Sequence, residues 1–467
     1  MANPIPSPSP VLLKKTVSEE EKVQDSPLQD SSSEEAGVVQ KLSSAGGEDP
    51  FGNEDGAGVK YKVMTWQQTA VIMIAETVSL GILSLPSTLK AVGLVPGIIL
   101  LVGLGVLATY TGYVLGQFKL RYPQVHSFAE AGGIIGGRIG YEICALGQLL
   151  FLVFIMGAHI LSFSIMMNVL TDHATCTIWF TVAGFAISLL CTLPRTMKSM
   201  SYFSYLSSAS VVAAVFVCMV GVGVSGQEVS LRVLNSGIAL YEGFGAVTNI
   251  IFAYAGHVAF FSLFSEMKDP AEFHKALYTL QITDTILYTV TAVVIYRFTG
   301  DNVTSPALGS TSPLLSKIAY GIALPTIVIA GVINGHVAVK YIYLRCVKKE
   351  MIHSKSWRSY GIWVAILSAL WVVAWVIASA IPVFNNLLGL ISALFLSWFT
   401  YGISGYLWLH MNKGEWFKSK WNGMLTILNM AIIPLGISIM CLGLYSSALA
   451  MQKDSAKKCF SCADNSL

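Results

Sequence analysis

From Trp66 onward, long apolar runs follow one another with only short polar breaks between them. No other feature limits the fold as strongly. A helix rises ~1.5 Å per residue and the bilayer hydrocarbon is ~30 Å thick, so about 20 apolar residues make one crossing. Eleven segments meet that length approximately: 66–90, 95–117, 141–170, 177–193, 202–224, 238–264, 276–298, 316–345, 359–381, 386–410 and 423–449. Segment 4 is short, and its ends are the least defined. Backbone groups facing lipid must be satisfied within the segment, which leaves helices. A membrane barrel needs strands that alternate in polarity, and these runs do not alternate. The predicted fold is therefore an all-α polytopic membrane protein.

Composition supports this reading. Of 467 residues, 54% are hydrophobic and 12% charged, about half the charge of a soluble domain. The net charge of +3 conceals an uneven distribution. Residues 1–60 carry 11 of the 26 acidic and 5 of the 29 basic residues, so the remainder has 24 basic and 15 acidic. That excess suits a lipid surface and gives no case for nucleic acid. The eight cysteines lie mostly inside apolar runs (Cys144, Cys191, Cys218, Cys441) and read as small buried hydrophobes, not as a disulfide framework.

The sequence divides into three parts. Residues 1–60 hold PSPSP, QDSSSEE and an EEE run, a composition that cannot bury enough apolar surface to order itself. This part reads as a disordered cytosolic tail. Its serines and Lys14, Lys15, Lys22 and Lys41 are open to kinase or ubiquitin-ligase action. Residues 61–450 form the membrane body, and 451–467 a short C-terminal tail.

Lysine and arginine set the orientation. With the N-terminus in the cytosol, seventeen basic residues near the segments fall on the cytosolic side and seven on the other. An odd number of crossings then places the C-terminus outside. The sequon Asn302-Val303-Thr304 falls in an outside loop and makes Asn302 a glycosylation candidate.

Segments 1 and 6 carry irregularities at mid-depth. Segment 1 reads Glu76-Thr77-Val78-Ser79-Leu80-Gly81-Ile82, with Pro86 following. Glycine and proline weaken helix, and the spacing predicts a break near Ser79–Gly81. Without a ligand role, the same residues would be a proline kink with a glycine packing seat. Segment 6 repeats the signal in Phe252-Ala253-Tyr254-Ala255-Gly256-His257. Interruptions five segments apart are the mark of two five-helix repeats of inverted topology, with a ligand site between them. A freed helix N-terminus near Gly81 suits a carboxylate, and freed carbonyls at Phe252–Tyr254 suit an ammonium. The expected ligand is an amino acid.

The elements GILSLP (Gly81–Pro86) and IFAYAGH (Ile251–His257), the EMKDP turn after segment 6 and the eleven-segment layout resemble the amino acid/auxin permease family. Within it the chain is most similar to the fungal neutral amino acid permeases of the methyltryptophan-resistance (system N) type. The resemblance covers roughly residues 60–450. It implies a LeuT-like 5+5 inverted repeat with helices 1 and 6 broken, import of neutral aliphatic and aromatic amino acids, proton symport and a plasma-membrane location. It also implies a site at Thr77–Ile82 and Phe252–His257, faced by segments 3, 8 and 10. Where many relatives have asparagine early in segment 1, this chain has Glu76.

The resulting substrate-binding candidates are Thr77, Val78, Ser79, Leu80, Gly81, Ile82, Phe252, Ala253, Tyr254, Ala255, Gly256 and Asn334. Ionisable groups at membrane depth are functional candidates by default. Glu76, His159 and His257 are the proton-coupling candidates. Asp284 and Glu242 read as packing or vestibule groups, His336 as a second cavity group of segment 8, and Lys340 as a snorkelling lysine. Phe252, Tyr254, Phe260 and Phe261 would form an apolar wall, and Gly157 and Ala158 would leave room beside the breaks. No cofactor or metal is implied. H-E-x-x-H, G-x-S-x-G and Walker A patterns do not occur, and Cys459-x-x-Cys462 is too isolated for a zinc or redox site, so an enzyme is not expected. The alternatives are an amino acid sensor on the same fold, a sodium-coupled carrier or a vacuolar one.

Overall fold

The computed structural model describes residues 62–195, 197–225, 229–347, 356–453 and 459–466. The N-terminal tail, with its modifiable serines and lysines, lies outside the described residues. Helices occupy each predicted segment: Trp66–Val92, Leu94–Arg121, Phe128–Thr171, Thr177–Cys191, Met197–Val224, the pair Leu240–Ala253 and His257–Ser265, Phe273–Thr299, Pro313–Cys346, Trp357–Ala380, Phe384–Met411 with an 11-residue π-helical stretch at Ser392–Gly402, and Lys420–Lys453. Among the described residues, ten are long and apolar enough to cross a bilayer. The helix of segment 4 has 15 residues, about 22 Å at 1.5 Å per residue.

Segments 1, 3, 6, 8 and 10 form the interior, and segments 2, 5, 7, 9 and 11 pack around them. The outer helices turn large apolar side chains outward, among them Ile99, Val106, Phe216, Ile282, Ile286 and Ile427. In water such continuous apolar faces would drive aggregation; in hydrocarbon they are the matched surface. The chain is a multi-pass membrane protein.

Segment 6 breaks where expected. Its first helix ends at Ala253, its second begins at His257, and the turn Tyr254–Gly256 joins them. Segment 1 does not break, which corrects the expectation of paired interruptions. Its helix is continuous from Trp66 to Val92 with Pro86 inside. Hydroxyls supply local bonds along this stretch: Ser84 Oγ donates to Gly81 O at 2.8 Å, and Thr88 Oγ1 to Ser84 O at 3.3 Å. Gly81 is a packing seat instead, since a Cβ there would lie 2.5 Å from Ala253 Cα. A Cβ on Gly256 would in turn lie 2.7 Å from Thr77 Cγ2. The two small residues let segments 1 and 6 cross in near-backbone contact beside the break.

Call the side where segment 1 begins the near side. It is tightly closed. Val63 N and Met64 N both donate to Glu266 O at 3.1 Å, and Lys268 N donates to Met64 O at 2.8 Å. Met64 and Met267 form a short parallel bridge. Just inside, Lys340 Nζ and Glu266 Oε1 pair at 2.5 Å with both side chains buried, so Lys340 does not snorkel.

On the far side the last described residues dock back onto the body. Cys462 is joined to Cys176 by a disulfide, Thr177 Oγ1 donates to Ala463 O at 2.7 Å, and Asn465 bonds Ser164 and Asn168. This corrects the expectation that the cysteines are small buried hydrophobes and form no disulfide, since Cys176 and Cys462 are joined. Cys144 and Cys218 are buried as expected, while Cys191 and Cys441 are exposed.

Candidate functional site

Thr77, Ser79, Phe252, Ala255 and Asn334 meet around a cavity of about 20 Å³, with Glu76, His159, Phe151 and Ile155 completing the wall. Segments 1, 3, 6 and 8 each contribute. The space holds roughly one water molecule, so the interior is shut in this conformation. The lining mixes apolar residues (Phe151, Ile155, Phe252, Ala255) with polar ones (Thr77, Ser79, His159, Asn334), and Glu76 is its one carboxylate.

Thr77, Ser79, His159 and Asn334 are each held by their own helix or a neighbour. His159 Nδ1 lies 2.7 Å from Ile327 O on segment 8. A carbonyl only accepts, so Nδ1 carries the hydrogen and Nε2 is the acceptor of the neutral ring. Gly331 makes room for this ring, since a Cβ there would lie 2.7 Å from His159 Cβ. Asn334 Nδ2 donates to Ala330 O at 3.0 Å, leaving its buried Oδ1 without a partner. Glu76 Oε2 is likewise buried without a hydrogen-bond partner. An unpaired buried acceptor is costly, and two of them beside one cavity form a ready receptor for a ligand's donors.

Several predicted residues lie elsewhere. Because segment 1 stays helical, Val78, Leu80 and Ile82 are core residues off the cavity, and Gly81 faces Ala253. Tyr254 OH donates to Leu101 O at 3.1 Å, and Tyr288 OH to Ala253 O at 2.8 Å. Gly256 abuts Thr77. His257 turns to segment 2, with Nε2 3.0 Å from both Thr111 Oγ1 and Ala108 O. His336 lies 2.7 Å from Pro194 O and edges Trp363, away from the cavity. Phe260 and Phe261 pack among other rings, and Gly157 seats against Ala374 O. Asp284 stands directly behind Thr77, with Oδ2 3.0 Å from its hydroxyl. Phe151 and Ile155 were missed. They precede His159 at four-residue steps, which puts all three on one helix face, and that spacing was readable.

A second, wider cavity of about 220 Å³ opens on the far side. Ser87, Thr88, Glu242, Asn249, Asn386 and Ser447 line it. Asn249 belongs to this vestibule and Phe252, one turn on, to the central cavity. Asn302 is exposed in a turn on this same side, beside the Arg232–Asp301 ion pair.

Comparison with known proteins fits this geometry. The profile of transmembrane amino acid transporter proteins matches residues 62–449. The N amino acid transport system protein of Neurospora crassa is 35% identical over 435 residues, covering 90% of this chain and 92% of that one. A transmembrane transporter of Gibberella moniliformis is 31% identical over 428 residues, covering 88% and 89%. Among solved structures, MhsT in complex with L-phenylalanine superposes with a TM-score of 0.51 at 13% identity, over 83% of this chain and 100% of that one. That likeness identifies the LeuT-like fold.

Proposed function

The chain belongs to the transmembrane amino acid transporter family, and we propose that it imports neutral aliphatic and aromatic amino acids together with protons. The observation that carries this reading is the central cavity, walled by Phe151, Ile155 and Phe252 and containing a single carboxylate, Glu76. An apolar wall favours uncharged side chains, while Glu76 and Asn334 Oδ1 suit the ammonium of an amino acid or a proton. The similarity to the N amino acid transport system protein supports the same substrate class.

The cycle in this reading is alternating access. The far-side vestibule admits the substrate, Phe252 lines the cavity one turn beyond Asn249 of the vestibule, and the near side stays shut behind the Lys340–Glu266 pair. Segments 1 and 6 move together because Gly81 and Gly256 lock them in contact. Only ligands that bind the two states differently drive the change. Glu76 supplies that difference as the proton carrier facing the substrate.

The disulfide supports the topology. Joined cysteines lie on one side of a membrane, so the chain between Cys176 and Cys462 crosses an even number of times. Eight helical segments connect them if Thr177–Cys191 crosses, and seven if it does not. In this reading the short helix is a crossing and the chain crosses eleven times, which the parity of the disulfide supports. Disulfides persist in oxidising compartments, which agrees with an outside C-terminus, a cytosolic N-terminus and a plasma-membrane location.

Radiolabelled leucine or phenylalanine uptake into proteoliposomes tests the function. Acidifying the outside accelerates uptake; indifference to the proton gradient rejects the coupling, and indifference to both substrates rejects the specificity.

A further inference from the structure

One carboxylate stands outside the cavity wall and is wholly enclosed. Asp284, on segment 7, is 0% exposed, and its Oδ1 has no hydrogen-bond partner. Its Oδ2 lies 3.0 Å from Thr77 Oγ1, which also lies 2.9 Å from Met73 O. A hydroxyl has one hydrogen to give. If Asp284 is ionised, Thr77 serves either Met73 or Asp284, and the other contact is two oxygens without a proton between them. If Asp284 is the acid, its O–H donates to Thr77 and Thr77 donates to Met73. Both short contacts are then hydrogen bonds.

The surroundings favour the same state. Asp284 bears electrostatically on Glu76 of segment 1, Tyr254 of segment 6 and Tyr288 of its own helix. Both tyrosine hydroxyls are committed to carbonyls, of Leu101 and Ala253. Segments 2 and 5 also pack on segment 7, and among the described residues Asp284 hydrogen-bonds only Thr77 and forms no ion pair with a lysine, arginine or histidine. A buried carboxylate without a cation is destabilised as an ion. Glu76, the chain neighbour of Thr77, and Asp284, which bonds Thr77, repel if both are charged.

We infer that Asp284 stores the transported proton and that Glu76 exchanges it with the cavity, so that coupling uses two carboxylates, one on the cavity wall and one hydrogen-bonded behind its chain neighbour Thr77. This inference rests on the proton-symport reading. In the forward step the O–H bond of Glu76 breaks and that of Asp284 forms, so the pair keeps one proton and one negative charge. Glu76 is left ionised toward the substrate ammonium. Release reverses the transfer. Without the proton, the two carboxylates repel and the site is poor for substrate, so proton and amino acid bind cooperatively.

Asp284→Asn tests this, because an amide N–H replaces the acid O–H toward Thr77. Leucine counterflow in proteoliposomes is retained, gradient-driven accumulation falls at least about tenfold, and the pH dependence of KM flattens. Wild-type accumulation with a wild-type pH profile overturns the inference. So does a variant that neither exchanges nor binds leucine while Asp284→Glu behaves likewise, since Asp284 is then purely structural. Glu76→Gln separates the two levels. If it alone loses pH dependence, proton symport stands and the role of Asp284 falls; if neither variant loses it, both fall. Replacing external sodium by choline at fixed pH leaves wild-type uptake unchanged, and a sodium requirement overturns the proton as occupant.

Discussion

Gly81 and Ala253 meet through bare backbone: a Cβ at position 81 would stand 2.5 Å from Ala253 Cα. This contact sets the crossing of the two helices that flank the cavity. Neither partner offers a flexible side chain that could move aside.

Gly81→Ala therefore costs about 1–3 kcal/mol of overpacking, and Gly81→Val costs more and abolishes substrate binding. Gly103→Ala is the control, since nothing lies within 4 Å of a Cβ there. Heating followed by size-exclusion chromatography in detergent checks both. Equal melting of the Gly81 and Gly103 variants would show that the close approach carries no energy.

The buried Lys340–Glu266 pair predicts strong non-additivity. Lys340→Met leaves Glu266 enclosed without its lysine and destabilises by about 3–5 kcal/mol. Adding Glu266→Leu recovers most of that loss. Thermal stability across the four proteins of the cycle measures it, and additive effects would remove the pair from the near-side closure.

Orientation is checked chemically. In a Cys459→Ser background, Cys462→Ser frees Cys176, and a membrane-impermeant maleimide labels it from outside intact cells. Labelling only after permeabilisation would invert the topology. Asn302→Gln removes a glycan-dependent mobility shift on the same side.

The proposed substrate cavity makes a prediction about selectivity. Ile155→Ala enlarges the apolar wall and raises the phenylalanine-to-leucine uptake ratio about tenfold, in keeping with roughly 1–3 kcal/mol per small apolar change. Competition by unlabelled amino acids reads it. An unchanged ratio would mean that this face does not meet the substrate side chain.

The helices were legible because each needs an apolar run of bilayer length, and each predicted segment lies on one or, for segment 6, two helices. The segment 6 break was legible for a related reason: Gly256 sits where a buried helix has no local use for it. The same logic failed on segment 1, where Ser84 and Thr88 return hydroxyls to carbonyls and Gly81 serves a neighbour rather than a break. Local composition cannot separate a glycine that ends a helix from one that admits another. The Cys176–Cys462 bond spans 286 residues, and the Lys340–Glu266 and Thr77–Asp284 contacts are also set by tertiary packing alone. The cavity face Phe151, Ile155 and His159 was present as a four-residue spacing, but that spacing is shared by every buried helix face.

The near-side closure has a consequence for watching the protein at work. Its three contacts are made by the amides of Val63, Met64 and Lys268 with main-chain oxygens, so side-chain replacement leaves them intact. Those amides are shielded from deuterium only while the near-side passage is sealed. Their isotope uptake is then a direct gauge of how often it opens, and substrate and acid added together should quicken it.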